Sequence, residues 1–259
     1  MLADMAFRKR YSSDLSAGDW PRLEPPLRVR RRSKWPLVEV GNAVLYVLKN
    51  GCLWRDLPGD FLPWGTGYWY FAKWQREGTL EALTTCLPMG CCPHKPPPTC
   101  VLIDTQSVKN AAPATDTTVV SFDAGTRVKG RKCLVLMDTL GNVLASRAVP
   151  AHVSDAAAAT AFWDEVAATH PLPGQMQVVI GDTSFAGLFA QHDGLRFEKP
   201  ANIVLKKKNF CLHKKRWLVE HILAWLSNNR RLSKEYDRLL TRPKAWARWA
   251  NVRRILQFC

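Results

Sequence analysis

The chain has 259 residues, 47% of them hydrophobic, which is enough to bury a sizeable core in one or two domains and excludes a disordered tail or a disulfide miniprotein. Lys and Arg number 37 against 22 Asp and Glu, a formal net charge of +15, and so cationic a surface calls for a polyanionic partner, nucleic acid first. No stretch approaches the roughly 18 unbroken apolar residues of a membrane span, and Met1 to Arg10 lacks the apolar core of a signal peptide. The expected protein is therefore soluble and intracellular, with no membrane partner.

In chain order, the first feature is charge. Arg28, Arg30, Arg31, Arg32 and Lys34 follow Pro25 and Pro26 and read as a flexible basic connector. Pro36 then opens a helix through Val38, Val40, Val44, Leu45, Val47 and Leu48 that stops at Asn50-Gly51. Trp64, Tyr68, Phe71 and Trp74 recur at helical spacing up to Gly78, and read as the core stripe of a small helical domain. A helix-turn-helix reader of DNA would use the same core with its polar face outward, where Arg55, Lys73, Gln75 and Arg76 are candidates. Residues 1–88 are read as this helical, helix-turn-helix-like DNA-binding domain together with its basic connector.

Five of the seventeen prolines fall within residues 88–99, so 89–99 reads as a linker that neither continues a helix nor joins a sheet. Cys86, Cys91, Cys92, His94 and Cys100 cluster around it but lack a C-x-x-C knuckle. A zinc-organised module is the weaker reading, and the eight cysteines are expected to be reduced, small hydrophobes. From residue 100 to 259 strands and helices alternate: strands at 100–104, 132–138 and 143–149 with a turn at Leu140-Gly141-Asn142, an Ala-rich helix over 154–168, a strand at 177–182 and a short helix. A strand at 201–206 and an amphipathic helix over 214–228 follow. This order predicts a mixed sheet with helices on both faces. Residues 206–254 carry fifteen Lys or Arg against three acids, an electrostatic footprint.

Two segments share one design: Val101-Leu102-Ile103 leads to Asp104, and Val178-Val179-Ile180-Gly181 leads to Asp182. If these are parallel neighbours, both carboxylates emerge at the carboxyl edge of the sheet, where open α/β sheets bind ligands. Oxygen donors there suit a hard divalent ion. Glu220, set among Trp217, Leu218, Ile222, Trp225 and Leu226, is the candidate third acid, with Arg216 one turn earlier. The plainer alternatives are that Asp182 caps the next helix and that Glu220 is a solvated helix acid. Asp138 reads as a hairpin residue and Asp123 as a loop acid. Gly125 to Gly130 has P-loop spacing but is followed by Arg131-Lys132, and Ser184 has no glycine two residues to either side, so neither a P-loop nor a nucleophile elbow is present.

With these residues in place, residues 8–258 resemble bacterial insertion-sequence transposases of the DDE type, the group numbered five (IS-five). YSSDLSAGDWPRLEPPL, EVGNAVLYVLKNGCLWRDLPGDFLPWGTGYWYFAKWQREGTLE, LIDTQSVK with VKGRKCLVLMDTLGNVLA, and RWLVEHILAWLSNNRRLSKEYDRL carry the likeness. The resemblance implies a helical DNA-binding domain followed by a DDE catalytic domain with an RNase H-like fold. Asp104, Asp182 and Glu220 would be its catalytic and metal-binding triad, holding two Mg²⁺ or Mn²⁺ ions for DNA cleavage and strand transfer. It further implies that Lys109, Lys129, Arg131, Lys132, Arg216, Arg230 and Arg231 meet DNA phosphates. The partner would be double-stranded DNA, bound by a homo-oligomer at the bacterial nucleoid in the cytoplasm. Thr183-Ser184-Phe185 stands where the family usually has Gly-Gly-Tyr, Cys133-Leu134 where it has Arg-His, and His213 and Ser227 where its wider signature has Tyr and Lys. These departures mark a divergent copy and leave a second reading: a transposase-derived DNA-binding protein without catalysis.

Overall fold

The computed structural model describes residues 8–29, 33–91, 98–111, 120–169, 176–190, 194–199, 202–204, 211–213 and 216–258. The described residues form two compact units.

The first unit is helical: α1 (Trp20–Leu27), α2 (Leu37–Asn50), α3 (Trp64–Arg76) and α4 (Thr79–Cys91), joined by 229–232 and 248–259 from the end of the chain. Pro36 precedes α2, and Gly51, at φ 69°, ends it by donating its N–H to the Val47 carbonyl, a left-handed cap that suits glycine. Gly78, at φ 71°, follows α3. The expected aromatic stripe splits in two: Phe71 and Trp74 are buried, whereas Trp64 and Tyr68 face solvent. α4 runs through Pro88 to Cys91, into the segment read from sequence as a linker. Leu80, Leu83 and Leu87, one helical stripe, are buried along it, and that packing offsets the single backbone bond a proline forfeits.

Beyond the single turns α6 (Ala186–Phe189) and α8 (Arg230–Ser233), the chain ends in a helix that the sequence reading lacks, α9 (Thr241–Phe258). Trp249, Val252, Ile255 and Leu256 on it are buried in the first unit, with the Trp249 ring 5.8 Å from Trp74. Arg248 is buried too and pairs with Glu81. The basic final fifth is thus partly core, and its charge count overstates the footprint at the surface.

The second unit spans 94–228 and 233–247. Its main sheet joins β1 (Cys100–Lys109), β2 (Ser121–Asp123), β3 (Val128–Asp138), β4 (Val143–Pro150), β5 (Val178–Ile180) and β6 (Arg196–Glu198). β3 lies between β1 and β4 and pairs antiparallel with both, and with β2, while β5 is parallel to β1 and β6 parallel to β5. The sheet is therefore mixed, as expected. β1 is twice the length read from sequence because its polar second half, Thr105–Lys109, pairs with Leu134–Gly130 of β3. β7 (Asn202–Val204) pairs with β8 (Cys211–His213) in a separate two-stranded sheet. The expected strand at 201–206 therefore forms, in its described part, outside the main sheet.

Alternation along β1 sorts the two faces. Val101 and Ile103, with Leu134 and Leu136 of β3, pack against Phe162, Trp163 and Val166 of α5 (Asp155–Thr169). Leu102, Asp104 and Gln106 point to the other face, where α7 (Arg216–Ser227) packs against β1.

Candidate active site

Asp104 lies in the middle of β1 opposite Val135 of β3, and at the level where the shorter β5 has just ended. The β1–β5 register pairs Val101 with Val179 and Leu102 with Ile180, so the chain reaches Asp104 on β1 and Asp182, just beyond β5, two residues later. Parallel neighbours run about 4.8 Å apart. Val179 belongs to the core under α5 and Ile180 does not, so alternation through the extended Asp182 backbone (φ −66°, ψ 162°) carries its side chain toward the face that holds Asp104.

Gly181 makes this approach possible. A Cβ there would stand 2.8 Å from Ile103 Cγ2, 3.0 Å from Phe185 Cδ2 and 3.2 Å from the Ile103 carbonyl oxygen. Each carboxylate accepts a hydrogen bond from the next residue's backbone: Thr105 N at 2.9 Å for Asp104 and Thr183 N at 2.6 Å for Asp182. The latter is the capping role anticipated for Asp182, at the start of the short 3-10 turn Thr183–Phe185.

Glu220 is exposed on α7, at the edge of the stripe formed by the buried Val219, Ile222, Leu223 and Leu226. Seven residues later on the same edge, Ser227 Oγ lies 3.4 Å from Gln106 Nε2. Seven residues are close to two helical turns, so Glu220 occupies the edge of α7 that borders the Asp104 face of β1. Among the described residues, however, no three His, Cys, Asp or Glu side chains converge closely enough to hold one ion. By register Asp104, in mid-β1, and Asp182, just past the end of β5, are each two residues beyond a paired position, and the described acids, Glu220 included, form no cluster of three with them. Gln106 and Ser227 escaped the sequence reading because an amide and a hydroxyl 121 residues apart carry no periodic signal.

The expected phosphate contacts divide sharply. Arg131 is 1% exposed, its guanidinium on Glu235 at 3.1 Å and the Arg238 carbonyl at 2.9 Å. Lys132 is buried against Asp155 at 3.0 Å and the Val153 carbonyl at 3.1 Å, and Arg231 is buried with Nη1 donating to the Cys52 carbonyl at 3.3 Å. These three were expected at a DNA surface and are instead internal ties, because cations in a folded core need fixed partners. Lys109, Lys129 and Arg230 are exposed. Lys129 alternates onto the Asp104 face of β3, whereas Lys109 points to the α5 side of β1. The Arg216 side chain lies outside the described residues, as do those of Cys86, Cys91, Cys92 and His94, the core of the zinc reading.

Two buried acids have structural duties. Asp138 accepts from Leu140 N, Asn142 N and Asn142 Nδ2 at 2.7 to 2.8 Å, the hairpin role read from sequence. Asp123 holds its turn through Ser107 Oγ at 2.7 Å, Thr126 Oγ1 at 2.8 Å and Gly125 N at 3.0 Å, and these bonds bring its carboxyl down to about 2. It is a buried anchor at the end of a strand, where the sequence suggested a loop acid.

Residues 15–84 match the family model "Putative transposase of IS4/5 family". Residues 95–250, more than half of the chain, match "Transposase DDE domain", which defines the class of the second unit and implies an RNase H-like fold. The chain belongs to the IS4/5 family of DDE transposases. No curated protein and no solved structure matches it. Membership makes DNA its partner, and domains of this class generally use divalent metal ions. Among the described residues no helix is long and apolar enough to cross a membrane.

Proposed function

We propose that the chain cleaves DNA at the ends of an insertion sequence and joins the freed 3′ ends to target DNA, using Asp104, Asp182 and Glu220. The observation that carries this reading is the parallel register of β1 and β5, which pairs Leu102 with Ile180 and so sets Asp104 and Asp182 each two residues beyond a paired position. Their hard oxygen donors suit Mg²⁺ or Mn²⁺. A pair of such ions, when bound, activates the attacking oxygen and neutralises the leaving oxygen of an in-line displacement.

The residues of the chain do the positioning. β3 clamps Asp104 along the full length of β1, Gly181 lets β5 deliver Asp182 beside it, and the Gln106–Ser227 contact holds the edge of α7 that bears Glu220 close to β1. Lys129 is exposed on the same face as Asp104, six residues along β3 from Val135, the partner of Asp104, and is a proposed phosphate contact on that face. Arg216 and Arg230 are further proposed contacts. A homo-oligomer assembled on double-stranded DNA in the bacterial cytoplasm is the proposed working form, with the helical unit engaging the element ends.

One observation favours a second reading, a DNA-binding protein without catalysis: the described acids form no three-membered cluster. Cleavage of duplexes carrying the element ends, with Mg²⁺ or Mn²⁺, separates the two. The catalytic reading expects wild type to cut and Asp104→Asn to retain binding but lose cutting by roughly a thousandfold or more, the scale on which transition-state electrostatics act. Identical cutting by both proteins refutes it.

A further inference from the structure

We propose that the outer surface of α3 is a stacking platform for the unpaired bases of single-stranded DNA. Trp69 is 53% exposed, Trp64 43% and Tyr68 38%, on a helix whose inner face already buries Tyr70, Phe71 and Trp74. Tyr68 still meets the buried Trp54 edge-on, ring centroids 5.8 Å apart, but Trp64 and Trp69 are left largely in water, and large rings so placed mark an interaction surface.

Each exposed tryptophan has a cation against it. The Arg55 guanidinium carbon lies 5.4 Å from the Trp64 ring centroid, and Lys73 Nζ lies 5.6 Å from that of Trp69 while also pairing with Glu77. Tyr70 meets the Trp69 ring edge-on, centroids 4.8 Å apart at 88°, which limits its freedom to collapse onto the surface. Gly65 and the half-buried Ala72 lie between the Tyr68 and Trp69 sides of the helix, and a Cβ added at Gly65 would touch nothing within 4 Å. These two small residues leave the strip between the aromatic flanks without a bulky residue until the exposed Arg76, a further cation.

Ring faces beside cations suit a strand that offers a flat base and a phosphate in alternation. Paired bases within a duplex already stack on each other and do not present their faces. The net charge of +15 draws a polyanion to this surface, whereas a second copy of the chain brings the same charge and needs DNA between the two to offset it.

The test is fluorescence anisotropy of the full-length protein with a labelled oligo(dT) strand and an abasic strand of equal length, in EDTA so that metal-dependent chemistry plays no part. The expected result is that oligo(dT) binds about tenfold or more tighter than the abasic strand, a ratio set by base stacking on aromatic rings. Trp69→Ala and Trp64→Ala should each weaken oligo(dT) roughly tenfold, leave abasic binding unchanged and keep the wild-type far-UV circular dichroism, while Trp69→Phe retains most of the affinity. Equal binding of the two strands, or unchanged oligo(dT) affinity in both alanine variants, overturns the proposal. So does loss of a dimer on sedimentation of Trp69→Ala with oligo(dT) affinity intact, which would make the surface a protein interface.

Discussion

Gly181 lies against Ile103, and each is the residue immediately before one of the two aspartates. Their contact, with no room for a Cβ between them, makes the spacing of the two chain segments at Asp104 and Asp182 a matter of close packing. Gly181→Ala should therefore force Ile103 and Phe185 aside at a cost of about 1 to 3 kcal/mol. Chemical denaturation would show the lost stability, and DNA cleavage should fall further than stability alone explains. A variant with wild-type midpoint and activity would contradict this account of the site.

Glu220→Gln separates the catalytic from the structural reading of that residue. Its exposure on α7 means that the neutral isostere should leave the thermal midpoint and DNA affinity close to wild type. Cleavage should drop by at least about a hundredfold if the carboxylate acts on transition-state charge. Full cleavage activity in the variant would remove Glu220 from the proposed triad.

The buried pair of Arg131 and Glu235 predicts an unusual pH response. Burial pushes the Glu235 carboxyl up to about 7, against the opposing pull of Arg131, and Cys133 Sγ lies 3.8 Å from Oε1. A folded-state value above the ordinary 4.5 means that the native protein holds its proton longer than the unfolded chain does. This contribution to stability is complete below about 4.5 and is lost as pH rises through 7, amounting to roughly 3 kcal/mol at most. Urea denaturation between pH 5 and about 8 should show the decline, and Glu235→Gln should flatten it. Arg131→Met, which leaves the acid without its partner, should cost about 3 kcal/mol or more near neutral pH.

Asp123 predicts the opposite slope. Its hydrogen bonds to Ser107, Thr126 and Gly125 favour the carboxylate and hold it near 2, below the ordinary 3.8. The stability it confers is present above about 3.8 and disappears as pH falls through 2. Acid titration followed by circular dichroism should unfold wild type more steeply in that window than Asp123→Asn, which starts less stable and carries no such proton uptake.

Trp249→Ala tests whether the chain terminus is part of the helical core. The ring is fully buried and lies 5.8 Å from Trp74, so its removal should cost about 3 to 5 kcal/mol. Thermal unfolding read by near-UV circular dichroism would register it, and a change within error would show that the terminal helix is not structural.

Local chemistry in the sequence settled much of this architecture. The apolar triplets before Asp104 and Asp182 form the β1 and β5 segments, Asp138 holds the Gly141 turn, and Gly51 caps α2, because side-chain periodicity and turn preference act over a few residues and survive in any context. Which cations are available to DNA was decided only by the tertiary structure. Arg131 and Lys132 looked like surface charges until partners as distant as Glu235, 104 residues away, enclosed them. The second half of β1 is a strand only because β3 pairs with it, and Trp64 and Tyr68 are exposed because Phe71 and Trp74 already fill the core. Burial and pairing are properties of contacts between remote segments, so no local pattern encodes them.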